Sequence, residues 1–236
     1  MKKINLSVIL PTYNEIDNIV TLLHAVIGYL RDEKITFEII VVDDSSPDGT
    51  AKKAQGVADI NSKIKVYSRK KMPGLANSIL FGVRKAKGDF VLVMDTDFNH
   101  DPQVIPTMYQ LAITTDLVIG SRYIANGGME NRVRHWLSYL FNLYLRILLS
   151  SPIHDHLSGF FIIKRKHLLS HEALSVFYGF GDYFIRLIYL VQQKRLKIKE
   201  TPVFYKNRTF GVSKSRFISM FIAYTKTALK LRLIRV

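Results

Sequence analysis

The sequence contains no cysteine among its 236 residues. Disulfide bonds, thiolate catalysis and cysteine-based zinc sites are therefore excluded, and the absence is compatible with the cytoplasm. The first residues, up to Ser7, lack a long apolar core and a small-residue cleavage site, so we expect no secretory signal. The chain also lacks Gly-x-Gly-x-x-Gly and a Walker A lysine loop, which excludes the ordinary dinucleotide and P-loop sites.

Acidic residues are scarce in one half of the chain. Residues 1–116 contain 14 basic and 14 acidic side chains, whereas residues 117–236 contain 20 basic and 5 acidic ones. The second half therefore holds the whole net charge of +15, and no acidic residue follows Glu200. This asymmetry predicts an anionic partner on one side of the molecule, either anionic lipid or nucleic acid. A surplus that merely aids solubility is the plainer alternative.

No apolar run is long enough to predict a transmembrane helix. The segment from Trp136 to Leu149 has an apolar stripe at helical spacing, but Asn142 and Arg146 interrupt it. Residues 216–236 form a second amphipathic pattern that includes five basic residues. A basic amphipathic helix can lie in a membrane interface or pack on the protein's own core. Both alternatives are open for 216–236, and packing is favoured for the first segment.

The first 120 residues alternate between strand and helix patterns, which predicts βαβ units and a parallel sheet. Strand patterns cover 6–10, 37–42, 65–67, 90–94 and 116–120, and helical patterns cover 18–30, 77–86 and a segment that opens at 48–50. The length and the hydrophobic fraction of 48% suit one α/β domain with a modest appendage. We therefore predict a domain over 1–215, with halves 1–120 and 121–215, and a basic amphipathic helix over 216–236.

The strand at 90–94 runs directly into Asp95 and Asp97. In open α/β sheets, ligands bind beyond the carboxyl ends of the strands. Residues two apart on an extended segment point the same way, so both carboxylates can reach one point. Two such anions repel each other unless a cation compensates them. Mg²⁺ is usually bound by one or two carboxylates plus phosphate oxygens, so the pair predicts a metal that carries a substrate phosphate. A solvated pair of Asp residues is the alternative.

Polar motifs also follow the first two strands. The first strand ends in the Pro-Thr-Tyr-Asn-Glu motif at 11–15, and the second ends in Asp-Asp-Ser-Ser-Pro-Asp-Gly-Thr at 43–50. Together with Asp95 and Asp97 they predict one nucleotide crevice at the edge of the sheet. A fourth segment, 73–77, contains Gly74, which permits a positive-φ turn that brings backbone close to a ligand.

These motifs, in this order, resemble those of the family 2 glycosyltransferases, in particular the polyprenyl-phosphate sugar transferases typified by dolichol-phosphate mannose synthase. The similarity extends from Leu6 to about Ser215. It implies the A-type glycosyltransferase fold, a Rossmann-like, mostly parallel sheet flanked by helices. Residues 1–120 would be the nucleotide-sugar half and 121–215 the acceptor half. The donor would be a nucleotide-diphosphate sugar, GDP-mannose or a UDP-sugar, and the cofactor Mg²⁺ or Mn²⁺.

The resemblance also implies roles for individual residues. The nucleotide would be bound by Pro11, Tyr13, Glu15, Asp43, Asp44, Gly74 and Asp95. The metal would be bound by Asp95, Asp97 and Asn99, whose amide oxygen is a suitable hard ligand. The acceptor phosphate would be bound by Arg122, Arg132, Arg134, Arg208 and Lys214. The catalytic residues would be Asp97, Arg122 and Asp155, with Asp155 as either a base or a structural residue.

Some of these positions have plainer interpretations. Arg132 and Arg134 could be ordinary surface charges, and His154 with His156 forms a pair that lacks a third nearby metal ligand. Residues 72–77 match the family's glycine-rich segment only loosely, which leaves the identity of the nucleotide open. Residues 179–183 differ from those of the mannose synthases, so the sugar need not be mannose.

The chemistry of the residues agrees with the resemblance. A phosphate monoester has a second pKa of about 6, so at neutral pH it is mostly a dianion that can attack an anomeric carbon without a strong base. Arginine side chains suit bidentate phosphate recognition. We therefore expect a metal-dependent inverting glycosyltransferase that moves a sugar to polyprenyl phosphate. We expect it to lie peripherally on an anionic membrane surface at the cytoplasmic face, with a small membrane partner subunit as a further expectation.

Other hypotheses make different demands on the sequence. The same fold could transfer the sugar to a saccharide hydroxyl in cell-surface polysaccharide synthesis, which needs a base such as Asp155 or Asp182. A nucleic-acid-binding module needs aromatic platforms or a groove-entering element, and no such motif is recognised, so we expect no nucleic-acid partner. A catalytically idle anchoring subunit is disfavoured by the intact acidic pair.

Overall fold

A central β-sheet organises residues 3–207 and 217–233, the parts of the chain that the computed structural model describes. Arg208 and Lys214 lie outside these described residues. The strands, in chain order, are β1 (Leu6–Thr12), β2 (Phe37–Asp43), β3 (Ile64–Ser68), β4 (Phe90–Val93), β5 (Leu117–Ser121), β6 (Gly128–Met129), β7 (Phe161–Lys164), β8 (Ile198–Pro202) and β9 (Phe204–Tyr205). The α-helices are α1 (Ile19–Asp32), α2 (Thr50–Ala58), α3 (Leu75–Lys85), α4 (Ile105–Thr114), α5 (Arg132–Leu149), α6 (His171–Ser175), α7 (Asp182–Gln193) and α8 (Phe217–Leu233).

Seven strands form the sheet in the order β3-β2-β1-β4-β7-β5-β8, and β6 pairs with β9 in a separate two-stranded ribbon. Neighbouring strands of the large sheet are parallel except around β7, which runs antiparallel to both β4 and β5. β1 and β2 are buried along their whole length, as expected for parallel strands that are covered on both faces. The predicted fold class, a mostly parallel sheet flanked by helices, is confirmed.

The register of the parallel strands brings three polar segments to one edge of the sheet. Ile9 pairs with Ile40 on one side and with Val93 on the other. β1 and β2 end at paired residues, Thr12 and Asp43. The residues after β4 therefore emerge beside the turns that follow β1 and β2, where ligands bind in open α/β sheets.

Helices cover both faces of the sheet and hold the strands in this arrangement. On one face, α1 and α4 bury side chains such as Leu23 and Met108 against the strands. On the other face, α3 and α7 bury Ile79 and Phe184. Each fully buried side chain of this size contributes about 1.5–3 kcal/mol relative to leaving it exposed. The strand ends are thus carried by a rigid scaffold.

The predicted elements of the first half agree with the observed ones to within a few residues. Local sequence patterns did not indicate α4, α7, β7 or β8. β7 has only four residues, Phe161–Lys164, and a short apolar run does not distinguish a strand from a buried helical segment. Its antiparallel insertion between β4 and β5 depends on contacts between residues that are far apart in the sequence.

Helix α5 packs on the protein through one side only. It begins before the predicted segment, because the Asn131 side chain accepts a hydrogen bond from the Arg134 backbone N–H at 2.9 Å and caps the helix. Leu145 and Leu149 lie in a third core cluster with residues of α7 and α8. The favoured packing is therefore present, but the apolar stripe is split, and much of it faces outward. Within residues 3–207 and 217–233, no helix combines the length and apolarity needed to cross a bilayer.

Candidate active site

A cavity of about 300 Å³ lies at the carboxyl ends of β1, β2 and β4. It is lined by residues from all four predicted segments and by one residue that precedes α7. The lining residues are Pro11, Thr12, Tyr13, Glu15, Asp44, Pro73, Gly74, Leu75, Ser78, Asp95, Thr96, Asp97 and Phe180. The structure thus brings the predicted nucleotide residues together, apart from Asp43, and their individual roles stay predictions. We call this space the donor crevice.

The turn after β1 is held to the turn after β2 by hydrogen bonds from backbone N–H groups to side-chain hydroxyls. The Asn14 N–H donates to Ser46 Oγ at 2.9 Å, and the Glu15 N–H donates to Thr50 Oγ1 at 2.9 Å. The Glu15 carboxylate accepts a hydrogen bond from the Asn18 side chain at 2.9 Å. One wall of the donor crevice is therefore built from two turns that support each other.

The neighbouring carboxylates Asp43 and Asp44 have different surroundings. Asp43 is fully buried and accepts hydrogen bonds from Thr12 Oγ1 at 3.0 Å and from the Ser46 N–H at 2.8 Å. Asp44 lines the donor crevice and accepts hydrogen bonds from the Gly74 N–H at 2.6 Å and from Ser78 Oγ at 2.7 Å. Of the two residues that the resemblance offers for base or ribose contact, Asp44 is the one at the crevice.

Arg69 was not identified from the sequence. Its Nη1 donates to Asp44 Oδ1 at 3.1 Å, and its Nη2 donates to the Met72 carbonyl at 2.8 Å. This ion pair fastens the segment that precedes Gly74 to the end of β2. Gly74 itself has φ +131°, a region that L side chains rarely adopt, which explains the glycine at this turn. An arginine directly after β3, at the same sheet edge as Asp44, was the available signal.

The acidic pair lies at the open side of the crevice. The Asp95 side chain is 45% exposed, whereas Asp97 is only 4% exposed. Asp97 accepts hydrogen bonds from the Asn99 backbone N–H at 3.1 Å and from Asn99 Nδ2 at 2.8 Å. In this structure Asn99 therefore orients Asp97, and its role as a metal ligand stays a prediction.

Asp95 and Asp97 fit a magnesium or manganese ion whose remaining ligands come from the substrate and from water. Among the described residues no group of three or more His, Asp or Glu side chains could by itself hold a metal. Two carboxylates at an open cavity are what Mg²⁺ requires when substrate phosphates and water supply the remaining oxygens. Asp95 and Asp97 are therefore compatible with a metal bound together with its diphosphate.

His100 is a second residue that the sequence analysis missed. It is fully buried and stacks on Phe160 with ring centroids 4.7 Å apart. Its Nδ1 accepts a hydrogen bond from the Asp95 N–H at 2.8 Å, and its Nε2 lies 2.7 Å from Tyr205 Oη. Burial lowers the pKa of His100 to about 4, although the nearby Asp97 charge acts to raise it. The imidazole is therefore neutral at pH 7.

Arg122 and Asp155 form a buried ion pair next to the donor crevice. Arg122 Nε and Nη2 each donate to the Asp155 carboxylate at 2.7 Å, and the Arg122 backbone N–H donates to it at 3.1 Å. Burial alone would lower the pKa of Arg122, but the charge and hydrogen bonds of Asp155 raise it. Since Asp155 also accepts from the Leu157 N–H at 3.2 Å, its oxygens are occupied, which favours the structural alternative over a general base.

A second cavity of about 290 Å³ opens beside this ion pair, and we call it the acceptor cavity. Its lining residues are Arg122, Tyr123, Ile124, Gly127, His135, Trp136 and Tyr139. Arg132 and Arg134 lie in the first turn of α5, which borders the cavity. Arg132 is exposed and Arg134 is half-buried, and neither is among the lining residues.

The other candidate residues of the second half hold the fold together. Asp182 pairs with Arg186 at 2.5 Å and accepts a hydrogen bond from Thr227 Oγ1 at 3.0 Å, which ties α7 to α8. His154 Nδ1 lies 2.7 Å from Glu200, whereas the buried His156 contacts Ser151 Oγ at 2.9 Å. The two histidines thus have separate partners, in agreement with the interpretation that their spacing is incidental.

Residues 7–170 match the family described as Glycosyl transferase family 2. The chain is 36% identical over 222 residues to the dolichol-phosphate mannosyltransferase of Pyrococcus furiosus, covering 91% of this chain and 60% of that protein. It is 34% identical over 214 residues to the undecaprenyl-phosphate mannosyltransferase of Micrococcus luteus, covering 87% of this chain and 85% of that protein. The glucosyl-3-phosphoglycerate synthase of Mycobacterium tuberculosis, solved with Mn²⁺, UDP and phosphoglyceric acid, shares the fold with a TM-score of 0.74 at 21% identity. That match covers 97% of this chain and 78% of the synthase.

Proposed function

Because the chain belongs to glycosyl transferase family 2 and has its A-type fold, we propose that it transfers a sugar from a nucleotide-diphosphate sugar to polyprenyl phosphate. The transfer is a single displacement that inverts the anomeric centre, and it depends on Mg²⁺ or Mn²⁺. The related proteins from Pyrococcus and Micrococcus are named mannosyltransferases, which makes GDP-mannose the first donor to test and UDP-sugars the alternative.

One observation carries this proposal: two contacting aromatic side chains, His100 and Tyr205, connect the backbone of Asp95 to the buried Arg122. The Arg122 guanidinium carbon is 4.7 Å from the centroid of the Tyr205 ring. Tyr205 Oη is 2.7 Å from His100 Nε2, and His100 Nδ1 accepts a hydrogen bond from the Asp95 N–H. A site for a metal-bound diphosphate and a site for a second phosphate are therefore adjacent, as a transfer between two phosphate-bearing substrates requires.

The donor would be held by the crevice residues and the metal. Tyr13, 47% exposed, lies at the mouth of the crevice, and Asp44 and Gly74 form its wall. Asp95 and Asp97 would hold Mg²⁺ or Mn²⁺, which supplies charge neutralisation for the leaving nucleoside diphosphate when it is bound.

The acceptor is better explained as a phosphate than as a saccharide hydroxyl. A hydroxyl needs a positioned base, but Asp155 is held by Arg122, and Asp182 is held by Arg186. A phosphate dianion needs no strong base. It does need cationic groups that position it, and Arg122 lines the acceptor cavity while Arg134 lies in the adjoining turn of α5.

The exposed side of α5 supports peripheral attachment to a membrane. Large apolar side chains at helical spacing face outward along this helix, and most are more than half exposed. They are Val133 (72%), Trp136 (63%), Leu137 (60%), Leu140 (57%) and Ile147 (73%). An apolar stripe of this kind marks an interaction surface, and on an amphipathic helix with basic residues it suits the boundary between lipid headgroups and acyl chains.

We assign a bilayer with anionic headgroups as the partner of this stripe. Helix α5 contains Arg132, Arg134 and Arg146 and no acidic residue. Trp136 belongs both to the stripe and to the lining of the acceptor cavity, so a lipid that enters this cavity would come from the surface on which α5 lies. The protein would thus lie peripherally on the membrane, and the cytoplasmic face is the side that the resemblance to the family implies. A small membrane subunit that covers the same stripe is the competing outcome of the test.

A transfer assay with purified protein tests the proposed reaction. Radiolabelled GDP-mannose, UDP-glucose and UDP-galactose are offered in turn with Mn²⁺ and undecaprenyl or dolichyl phosphate, and lipid-extractable label is counted. We expect one donor to give label in a lipid that mild acid releases, since a glycosyl phosphate is acid-labile. Label that appears only in an acid-stable saccharide would identify the hydroxyl-acceptor alternative instead.

Vesicle sedimentation tests the membrane assignment. Wild-type protein should co-sediment with vesicles of phosphatidylglycerol and phosphatidylcholine, and the variant W136S/L140S/I147S should stay in the supernatant. Ile60→Ser is the matched control, because Ile60 is an 85% exposed apolar residue on the α2–β3 turn. Equal sedimentation of the triple variant and the wild-type protein would remove α5 from the interface. No binding by the wild-type protein would favour the partner subunit.

A further inference from the structure

His100 connects the donor crevice to the acceptor cavity. It follows the acidic pair in the chain, and its fully buried ring lies against Phe160. One ring nitrogen contacts the backbone of Asp95, and the other contacts the hydroxyl of Tyr205 in β9. Both nitrogens of this buried ring therefore form hydrogen bonds, one to each half of the site. Such a side chain does more than fill space in the core.

The hydrogen bonds determine the tautomer of the ring. A backbone N–H can only donate, so Nδ1 must present its lone pair to Asp95, and the single proton of the neutral ring is on Nε2. Nε2–H therefore donates to Tyr205 Oη, and the Tyr205 hydroxyl donates in turn to the Ser158 carbonyl at 3.0 Å. The Tyr205 hydroxyl also lies 3.2 Å from Ser158 Oγ, so both hydrogen-bonding atoms of Ser158 beyond its N–H hold the end of this series of hydrogen bonds.

At the other end of this hydrogen-bond series, Tyr205 and Ser158 support Arg122. The Tyr205 ring lies under the Arg122 guanidinium at 4.7 Å, and Ser158 Oγ donates to the carbonyl of Gly120, close to Arg122 in the sequence. Arg122 is oriented from the other side by Asp155. A shift of His100 would therefore move the acidic pair relative to the arginine.

We propose that His100 and Tyr205 are positioning residues that set the separation between the metal-binding carboxylates and the phosphate-binding Arg122. The inference rests on the proposed transfer reaction. In that reaction the Asp95 end of this hydrogen-bond series would serve the donor, and the Arg122 end would serve the acceptor. Its physical basis is alignment: misplacement of reacting groups by about 1 Å can lower the rate by about a hundredfold.

Three substitutions separate the two hydrogen bonds of the ring. His100→Asn places an amide oxygen near the Nδ1 position and retains the acceptor for Asp95 while it loses the bond to Tyr205. His100→Gln places an amide nitrogen near the Nε2 position and retains that bond while it loses the acceptor. Tyr205→Phe keeps the ring under Arg122 and removes only the hydroxyl. His24→Asn, an exposed histidine on α1, is the matched control.

We expect H100N and Y205F each to lower kcat by about tenfold to a hundredfold, with little change in the KM for the donor sugar. The double variant H100N/Y205F should lose no more than either single variant, because both break the same connection. H24N should match the wild-type protein. Unchanged kcat in Y205F, or losses that multiply in the double variant, would overturn the proposal.

A second measurement needs neither metal nor substrate. Amide hydrogen exchange of metal-free protein should show the Asp95 N–H protected in the wild-type protein, H100N and Y205F and faster to exchange in H100Q. Equal protection in all four proteins would contradict the assigned hydrogen bond even if wild-type protein transfers no sugar. Conversely, absence of transfer with normal exchange behaviour would reject the proposed reaction and not the connection through His100.

Discussion

The donor crevice and the acceptor cavity hold their charged side chains in opposite ways. In the donor crevice the Asp95 side chain is 45% exposed, whereas Asp44 is paired with Arg69 and Glu15 accepts a hydrogen bond from Asn18. The acceptor cavity is lined by Arg122, which is buried and paired with the buried Asp155. In the proposed reaction a metal ion would compensate Asp95 and Asp97 when the diphosphate binds, whereas Asp155 orients the buried arginine in the absence of substrate.

The two regions should therefore differ in how strongly a substitution that affects function also affects stability. A carboxylate at the open crevice can be changed with little effect on packing. A residue of the buried pair cannot, because removal of one partner leaves the other as an uncompensated charge.

Asp97→Ala should lower turnover by roughly a thousandfold, because a catalytic metal supplies several kcal/mol of charge stabilisation. The melting temperature should fall less than in R122A, since the hydrogen bonds from Asn99 to Asp97 join residues that are only two apart in the chain. Steady-state kinetics with Mn²⁺ and thermal melting measure the two effects. Asp59→Ala, in the turn after α2, is the control. Turnover near that of the wild-type protein would remove Asp97 from the metal site.

Arg122→Ala should lower the free energy of unfolding by about 3–5 kcal/mol, because it leaves Asp155 charged and buried without its partner. Urea denaturation measures this loss. The double variant R122M/D155L should be more stable than R122A, because it removes both charges, and both variants should be inactive. If R122A were as stable as D97A, the contrast between the two regions would disappear.

Arg69→Ala should raise the KM for the donor sugar by about tenfold, which corresponds to about 1.4 kcal/mol of binding. The reason is that Asp44 and the segment before Gly74 lose the cation that holds them together. The KM for the lipid acceptor should not change. Arg84→Ala, an exposed arginine on α3, is the control. A rise in the acceptor KM alone would show that Arg69 acts elsewhere.

The acceptor side should also respond to acid through His156. Burial lowers the pKa of His156 to about 4, and its Nδ1 has no hydrogen-bond partner among the described residues. The unfolded chain binds the proton at a higher pH, near 6.5, so stability falls as the pH decreases from about 6.5 to 4. We expect a loss of about 1–3 kcal/mol from this group over that window.

His156→Gln should reduce this pH dependence, measured by urea denaturation at several pH values. His24→Gln is the control, because His24 is exposed on α1. An equal slope in wild-type protein and in H156Q would show that other groups cause the acid sensitivity. H156Q also replaces the contact with Ser151, so only the slope, and not the absolute stability, tests the prediction.

The sequence predicted the donor crevice well because its residues directly follow strands. Pro11 lies in the last two residues of β1, Asp44 comes directly after β2, and Asp95 lies two residues beyond β4. The register of the parallel strands therefore brings them to one edge of the sheet. Arg69 and His100 were missed for a different reason. Neither forms a motif with its neighbours. The position of Arg69 after β3 places it at the same sheet edge as Asp44, but its ion pair with Asp44 and the contact of His100 with Tyr205 are recognisable only in the tertiary structure.

By itself, the sequence determined the alternation of strands and helices, the acidic pair at a strand end and the excess of basic charge in the second half. These features depend on local periodicity and on composition. Only the tertiary structure decided that β7 enters the sheet antiparallel, that Asp155 binds Arg122 and that the stripe of α5 faces outward. Each of these features depends on contacts between residues that are distant in the chain. The free energy of such contacts cannot be inferred from a local sequence pattern.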